Sequence, residues 1–281
     1  MIRIITDSMS DLTQQEAAAQ DFRILPLTVR FGSEEFLDGV SLDHESFYKR
    51  LETVKELPQT SQVTPEAFAK AFDAELLDPE NEVLCITGSS KLSGTCQSAM
   101  IARNASASPE RIYIVDSESV SMGEALLVRL ALVHRAAAKN AAALAEVVRG
   151  YIRRAHVIGK ADTLKYLVMG GRLSVLGGAV GSALHIKPLL RLTDGKLVQA
   201  GICRGSHRAL DWFVKQLEEH RLPVRCPTMV CFGGADMKTL YITTTRENMD
   251  AEEVAKYPLS GAIFTLPVAV AGMKKLPFIE R

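Results

Sequence analysis

Serine, threonine and aspartate gather in three short clusters, each directly behind an apolar run. They are Thr6-Asp7-Ser8 after Ile2 to Ile5, Ser89-Ser90-Lys91-Leu92-Ser93-Gly94-Thr95 after Val83 to Ile86, and Asp116-Ser117 after Ile112 to Val115. In a parallel sheet the loops leaving the carboxyl ends of the strands collect along one edge, so hydroxyls and backbone N–H groups from all three could meet one ligand. Such donors suit an anion. Ser93-Gly94-Thr95 stands where a helix running to Arg103 is expected to begin, and a helix start offers unpaired N–H groups and partial positive charge to a carboxylate or phosphate. No histidine neighbours the serine and no Gly-x-Ser-x-Gly elbow occurs, so the clusters point to binding rather than hydrolysis. Asp7 and Asp116 read as loop and cap residues.

Positioning these clusters requires alternating strands and helices. A helix is expected near Asp11 to Gln20 with Asp11 as cap, then a strand from Ile24 to Phe31 and a helix from Ser41 carrying Leu42, Phe47, Tyr48 and Leu51. Thr64-Pro65-Glu66 marks the next helix start, with threonine as cap and proline at the first position, and Phe68 and Phe72 share its buried face. The alternation continues through Glu82 to Thr87, Ser93 to Arg103, Arg111 to Val115 and an alanine-rich helix from about Ser121 to Lys139. The fold class is α/β with a mostly parallel sheet.

Beyond Arg154, Leu164, Leu167 and Val168 suggest a short helix that Gly170-Gly171-Arg172 breaks. A small-residue helix with Gly177, Gly178, Gly181 and Ala183 follows. Pro188 to Leu192 and Lys196 to Cys203 flank Asp194-Gly195, the strongest hairpin signal in the chain. A helix from Ser206 to about Glu219 carries Leu210, Phe213, Val214 and Leu217 on one stripe. The glycines from Gly177 to Gly181 match no nucleotide-binding pattern, and the lone His185 reads as structural.

Composition narrows the function classes. The 281 residues are 47% hydrophobic, and 33 basic residues balance 33 acidic ones. No basic field favours nucleic acid, and no acidic tail favours a basic partner. The five cysteines, Cys85, Cys96, Cys203, Cys226 and Cys231, lack metal-ligand spacing and fit a reducing cytosol. No signal peptide or membrane span is read; the longest uncharged run, Leu259 to Met273, is short and contains Pro267. A cytoplasmic protein without stable membrane insertion is expected.

Taken together, these residues resemble the DegV family of bacterial fatty-acid-binding proteins. The resemblance rests on Thr6-Asp7-Ser8, Pro26-Leu27, Asp38-Gly39-Val40, Thr60-Ser61-Gln62, Leu92-Ser93-Gly94-Thr95 with Gln97-Ser98-Ala99, and Val115-Asp116-Ser117. It continues through Gly170-Gly171-Arg172-Leu173-Ser174, Ile186-Lys187-Pro188, Asp194-Gly195-Lys196, and Arg204 with Arg208-Ala209, covering Met1 to about His220. It implies a two-domain lipid carrier that is not an enzyme and uses no cofactor. One long-chain fatty acid would lie in a tunnel, its carboxylate held by Thr60, with Ser61 beside it, and by Ser93, with the Gly94 N–H. The resemblance also implies a partner, a separate fatty-acid kinase that makes acyl-phosphate for phospholipid synthesis. Arg172, Arg204 and Arg208 are the candidates for docking that partner or for the pocket mouth. Where family members often carry a second arginine two places after the first, this chain has Ser206.

From about Arg221 the sequence resembles instead the closing blade of the gluconolactonase and regucalcin family, with strands expected at about Thr228 to Phe232, Lys238 to Thr244 and Gly261 to Leu266. Three segments follow from this reading: a DegV-like α/β domain over 1–154, a partial second domain over 155–220, and a β-propeller-blade-like meander over 221–281. The alternatives to a fatty-acid carrier are a metal-dependent sugar-lactone hydrolase, supported by the last segment alone and lacking that family's upstream metal ligands, and a fusion with no retained activity.

Overall fold

A strand that is apolar at nearly every position has to be covered on both faces, and the first half of the chain is built around such strands. The computed structural model describes residues 1–54, 56–161, 164–173, 186–204, 208–209, 212–213, 215–216, 227–233, 239–244 and 263–267. In chain order the elements are β1 (Ile2–Asp7), α1 (Gln14–Gln20), β2 (Arg23–Leu25), β3 (Thr28–Phe31), β4 (Glu34–Leu37), α2 (His44–Thr53), β5 (Gln59–Ser61), α3 (Pro65–Glu75), β6 (Glu82–Thr87), α4 (Thr95–Ala105), β7 (Ile112–Asp116), α5 (Met122–His134) and α6 (Ala141–Ile152). There follow β8 (Ile158–Lys160), α7 (Lys165–Met169), β9 (Ile186–Thr193), β10 (Lys196–Arg204), β11 (Pro227–Gly233), β12 (Thr239–Thr244) and β13 (Ile263–Pro267).

The main sheet has the order β2-β1-β6-β7, and every pairing in it is parallel. Successive residues of a strand face opposite sides, and both sides are covered. Ile4, Leu84, Ile86 and Val115 pack with Leu127, Val128, Leu144 and Val148 of α5 and α6. Ile5, Val83, Cys85 and Ile112 pack with Phe68, Phe72, Ala99 and Ala102 of α3 and α4. The α/β expectation holds, and all three polar clusters leave the sheet at its carboxyl edge. At the opposite edge Glu75 bridges Arg3 at 2.7 Å and Arg23 at 2.6 Å, tying the end of α3 to β1 and β2.

Several expected boundaries move, each for a local reason. Helix α1 begins at Gln14, because Thr13 and Glu16 form a reciprocal capping box. Asp11 does not cap it; Asp11 closes a short 3-10 turn in the left-handed region, at φ 56°. The strand expected from Ile24 to Phe31 is two strands in different sheets. Pro26, between them, has no N–H to continue a ladder, and the Leu27 N–H is taken by the Ser8 hydroxyl at 3.0 Å. Asp43, rather than Ser41, caps α2 by accepting from the Ser46 N–H at 2.8 Å. The alanine-rich helix ends at His134, and Asn140 caps a separate α6 through the Ala143 N–H. Thr64 and Pro65 open α3 as expected.

A second sheet, β4-β3-β5, is antiparallel and packs Val29 and Phe31 with Leu42, Phe36 and Phe47. A third, β10-β9-β8, contains the expected hairpin, whose turn residues Asp194 (φ 47°) and Gly195 (φ 75°) are both left-handed. The small-residue helix around Gly177 to Ala183, with His185, lies outside the described residues. Of the helix expected from Ser206 to Glu219, the described residues 208–209, 212–213 and 215–216 are helical.

Two compact units result, Met1–Ala209 and Leu210–Arg281. The division at 209 differs from the expected boundaries at 154 and 220; Arg172 donates to the Leu92 carbonyl and the Gly195 carbonyl accepts from the Ser89 hydroxyl, joining the segment after 154 to the loop following β6. Within the second unit β11, β12 and β13 form an antiparallel meander close to the expected strands.

Phe68 and Phe72 are fully buried between α3 and the sheet, with ring centroids 5.7 Å apart. Phe72→Ala is expected to lower unfolding stability by about 3 to 5 kcal/mol in urea titrations, the usual cost of emptying an aromatic core position.

Candidate ligand site

The carboxyl edge of the main sheet brings the three polar clusters together. Asp7 at the end of β1 accepts the Met9 N–H at 2.9 Å and the Gly88 N–H, from the end of β6, also at 2.9 Å. Asp116 at the end of β7 accepts the Ser90 N–H at 3.2 Å, and the Ser119 carbonyl accepts the Ser89 N–H at 2.7 Å. The Ser117 N–H donates to the Thr87 carbonyl at 3.0 Å. Convergence is therefore as the strand order dictates, but most of these polar groups satisfy one another. Asp7, Ser8, Ser89 and Asp116 hold the loops in place and are spent on that task.

The start of α4 is different. Its cap residue is Gly94, which supplies no side-chain acceptor for the first-turn N–H groups. Ser93 is half-buried; its hydroxyl lies 2.9 Å from the Thr95 hydroxyl and accepts the Thr95 N–H at 3.3 Å. Two other segments reach this point. Gln62 donates from Nε2 to the Ser98 hydroxyl at 2.8 Å, and a Cβ at Gly94 would collide with Gln62 Oε1, so the chain following β5 lies directly across the helix start. Arg172 donates from Nε to the Leu92 carbonyl at 3.2 Å and from Nη1 to the Gly170 carbonyl at 2.6 Å. Thr60 and Ser61 are exposed on β5, where Thr60 pairs with Val29 and stands two residues, about 7 Å of extended backbone, before Gln62.

Ser93, Gly94 and Arg172 thus sit at one place, with the Thr60-Ser61 strand leading into it. Arg204 does not join them. It lies at the far end of β10, paired with Ile186, about 27 Å of strand from Lys196 next to the hairpin tip, and Arg208 is exposed beyond it.

Beneath the loop lies a group that sequence reasoning passed over. Glu124, in the first turn of α5, is fully buried; its Oε1 accepts the Thr6 hydroxyl at 3.0 Å and its Oε2 has no hydrogen-bond partner. Burial, reinforced by the Asp7 charge, raises its pKa well above the usual carboxylate range. Burial likewise raises Asp7, to about 6, against the opposing effect of the Gly88 and Met9 N–H donors. The available signal was an acidic residue in an otherwise apolar stretch, Gly123 to Leu127. Cys85, Cys96 and Cys203 are buried and form no disulfide. Among the described residues no group of three or more His, Cys, Asp or Glu side chains could hold a metal ion, so the lactone-hydrolase alternative gains no support there.

Both buried carboxyls bind protons more readily in the folded than in the unfolded chain. Their effect is therefore most favourable below the unfolded values near 4 and declines as pH rises, for Asp7 through about 6 and for Glu124 further. Glu124→Gln mimics the protonated form. Urea midpoints are expected to fall between pH 5 and pH 8 less steeply in this variant than in the wild-type protein, and an unchanged slope would mean that Glu124 is not the linked group.

Comparison with known proteins places this architecture. The model of the DegV family, described as "Uncharacterised protein, DegV family", matches residues 1–265. A DegV domain-containing protein of Caldanaerobacter subterraneus is 34% identical over 217 residues, which cover 77% of this chain and 76% of the relative. Among solved structures, a fatty-acid-binding DegV family protein from Thermus thermophilus is 27% identical, with a TM-score of 0.70 over 96% of this chain and 90% of its own. A stearic acid-binding protein from Eubacterium ventriosum is 26% identical, with a TM-score of 0.68 over 78% of each chain. The family match continues 44 residues past Arg221, to 265, so the resemblance of that segment to gluconolactonase and regucalcin proteins, and with it a chimeric C-terminus, finds no support. Parallel sheet, polar carboxyl edge and family match agree: the chain belongs to the DegV family.

Proposed function

We propose that this protein binds one long-chain fatty acid and performs no chemistry on it. In this reading the carboxylate is received by the Ser93 hydroxyl and the Gly94 N–H at the start of α4, with Thr60 and Ser61 completing the polar end. The observation that carries the reading is the uncapped helix start at Gly94, crossed by Gln62 and flanked by Arg172. A carboxylate leaving water must find hydrogen bonds or a cation, and hydroxyls with first-turn N–H groups supply them. Burial of the acyl chain contributes about 0.8 kcal/mol per methylene, so the tail provides most of the gross affinity and the polar end fixes direction. The fatty-acid-binding relatives from Thermus thermophilus and Eubacterium ventriosum support the same ligand class.

The carrier presents its ligand to a separate fatty-acid kinase, in a cytoplasmic setting. Arg172, beside the ligand loop, suits the pocket mouth. Arg204 and Arg208, at the other end of β10, suit a docking surface that does not touch the carboxylate. Among the described residues no helix is long and apolar enough to cross a membrane.

Displacement of a fluorescent fatty acid tests the site. Ser93→Ala and Thr60→Ala each leave part of the carboxylate unpaired, at roughly 1 to 3 kcal/mol, so affinity is expected to fall about 5- to 150-fold. Unfolding stability should change little, since Thr60 is exposed and Ser93 half-buried. Unaltered affinity in the double variant would remove both residues from the site.

A further inference from the structure

The loop from Gly88 to Gly94 is held from two sides, and the second hold has no part in the binding reading so far. On one side the main sheet anchors it through Asp7, Asp116 and the Ser119 carbonyl. On the other, the fully buried Ser89 hydroxyl donates to the Gly195 carbonyl at 2.7 Å, across 106 positions of sequence. Gly195 is the tip of the β9–β10 hairpin. Its backbone is pressed onto the loop: a Cβ there would lie 2.6 Å from Ser89 Oγ and 3.3 Å from Lys91 Cγ. The turn itself needs only a residue that tolerates positive φ, a condition asparagine meets; the close approach is a separate demand that glycine alone satisfies.

Ser89 connects this tip to Ser93. Its hydroxyl reaches the hairpin, while its carbonyl accepts the Leu92 N–H at 3.0 Å and the Ser93 N–H at 3.1 Å. The turn that sets Ser93 and opens α4 therefore hangs on the residue that the hairpin grips. Arg172, bonded to the Leu92 carbonyl, fastens the same turn one step further along. Lifting the tip would strip the loop of the Gly195 contact and leave the sheet-side bonds intact, loosening Ser93 without unfolding the domain.

We propose that the Asp194-Gly195 tip is a latch on the ligand loop: docked on Ser89, it holds the Ser93 hydroxyl and the start of α4 where they receive the ligand carboxylate, and its release sets the rate at which ligand leaves. The proposal rests on the fatty-acid reading above. Ser89 and Gly195 are positioning residues that act through Ser93.

Two variants break the contact from opposite sides, so one that fails to fold leaves the other to decide. Ser89→Ala removes the donor, and Gly195→Asn keeps a residue that tolerates the turn while filling the contact. Stopped-flow dissociation of a fluorescent fatty acid is expected to accelerate about tenfold or more in each, with association within about twofold of wild type. In ligand-free protein, amide hydrogen exchange at Leu92 and Ser93 is expected to rise by a similar factor while Val83 to Ile86 of β6 stay protected. Unchanged exchange at Leu92 and Ser93, a rise shared by β6, or unchanged dissociation would each overturn the latch. Wild-type protein that binds no fatty acid would instead sink the ligand reading, and the exchange data alone would then judge whether the tip holds the loop.

Discussion

Asp7 is the constraint on which the site depends. A carboxylate buried at the end of β1 accepts one N–H from its own turn and one from Gly88, and so fixes where the chain leaves β6. Burial makes this costly for the charged form, as its raised pKa records. The hold is correspondingly specific, because few other groups could accept from both backbone donors in that space. With β1 and β6 joined at their ends, the loop to Gly94 has a fixed origin, and α4 begins where that loop delivers it.

The donors at the carboxyl edge divide into two kinds. Those nearest the strands, at Leu27, Gly88, Ser89 and Ser90, are consumed in joining loops to one another. At the head of α4 the Thr95 N–H meets the Ser93 hydroxyl, while glycine at the cap offers no side-chain acceptor to the rest of the first turn. Rigidity is thereby built beneath the site and open hydrogen-bonding capacity at its surface, an arrangement suited to binding a charged head group without reorganising the protein. Strands β1 and β6 supply the frame, and the third sheet, through Gly195, supplies a second contact to the same loop.

Features governed by neighbouring residues were legible in the sequence. Thr64-Pro65 gave the start of α3, Asp194-Gly195 gave the hairpin, and the apolar runs before each polar cluster gave a parallel sheet with a polar carboxyl edge. The break at Asn140 was hidden because alanine-rich sequence lies on both sides of it and only the cap distinguishes them. The split at Pro26 was hidden because both halves read as strand, and their separation into two sheets is decided by tertiary pairing. At the site, the residues of the Ser93 turn were visible from type and spacing, and Thr60 through family resemblance. Glu124, Gln62 and the Ser89–Gly195 contact were not, because each depends on what a distant segment places opposite it.

Whether the head of α4 receives a fatty-acid carboxylate is decided by titrating delipidated protein with hexadecanoate and following backbone amide resonances. Saturation at one equivalent, with the largest shifts at Ser93, Gly94 and Thr95, is the predicted result. Absence of binding, or saturable binding that leaves those three amides unmoved, would contradict it.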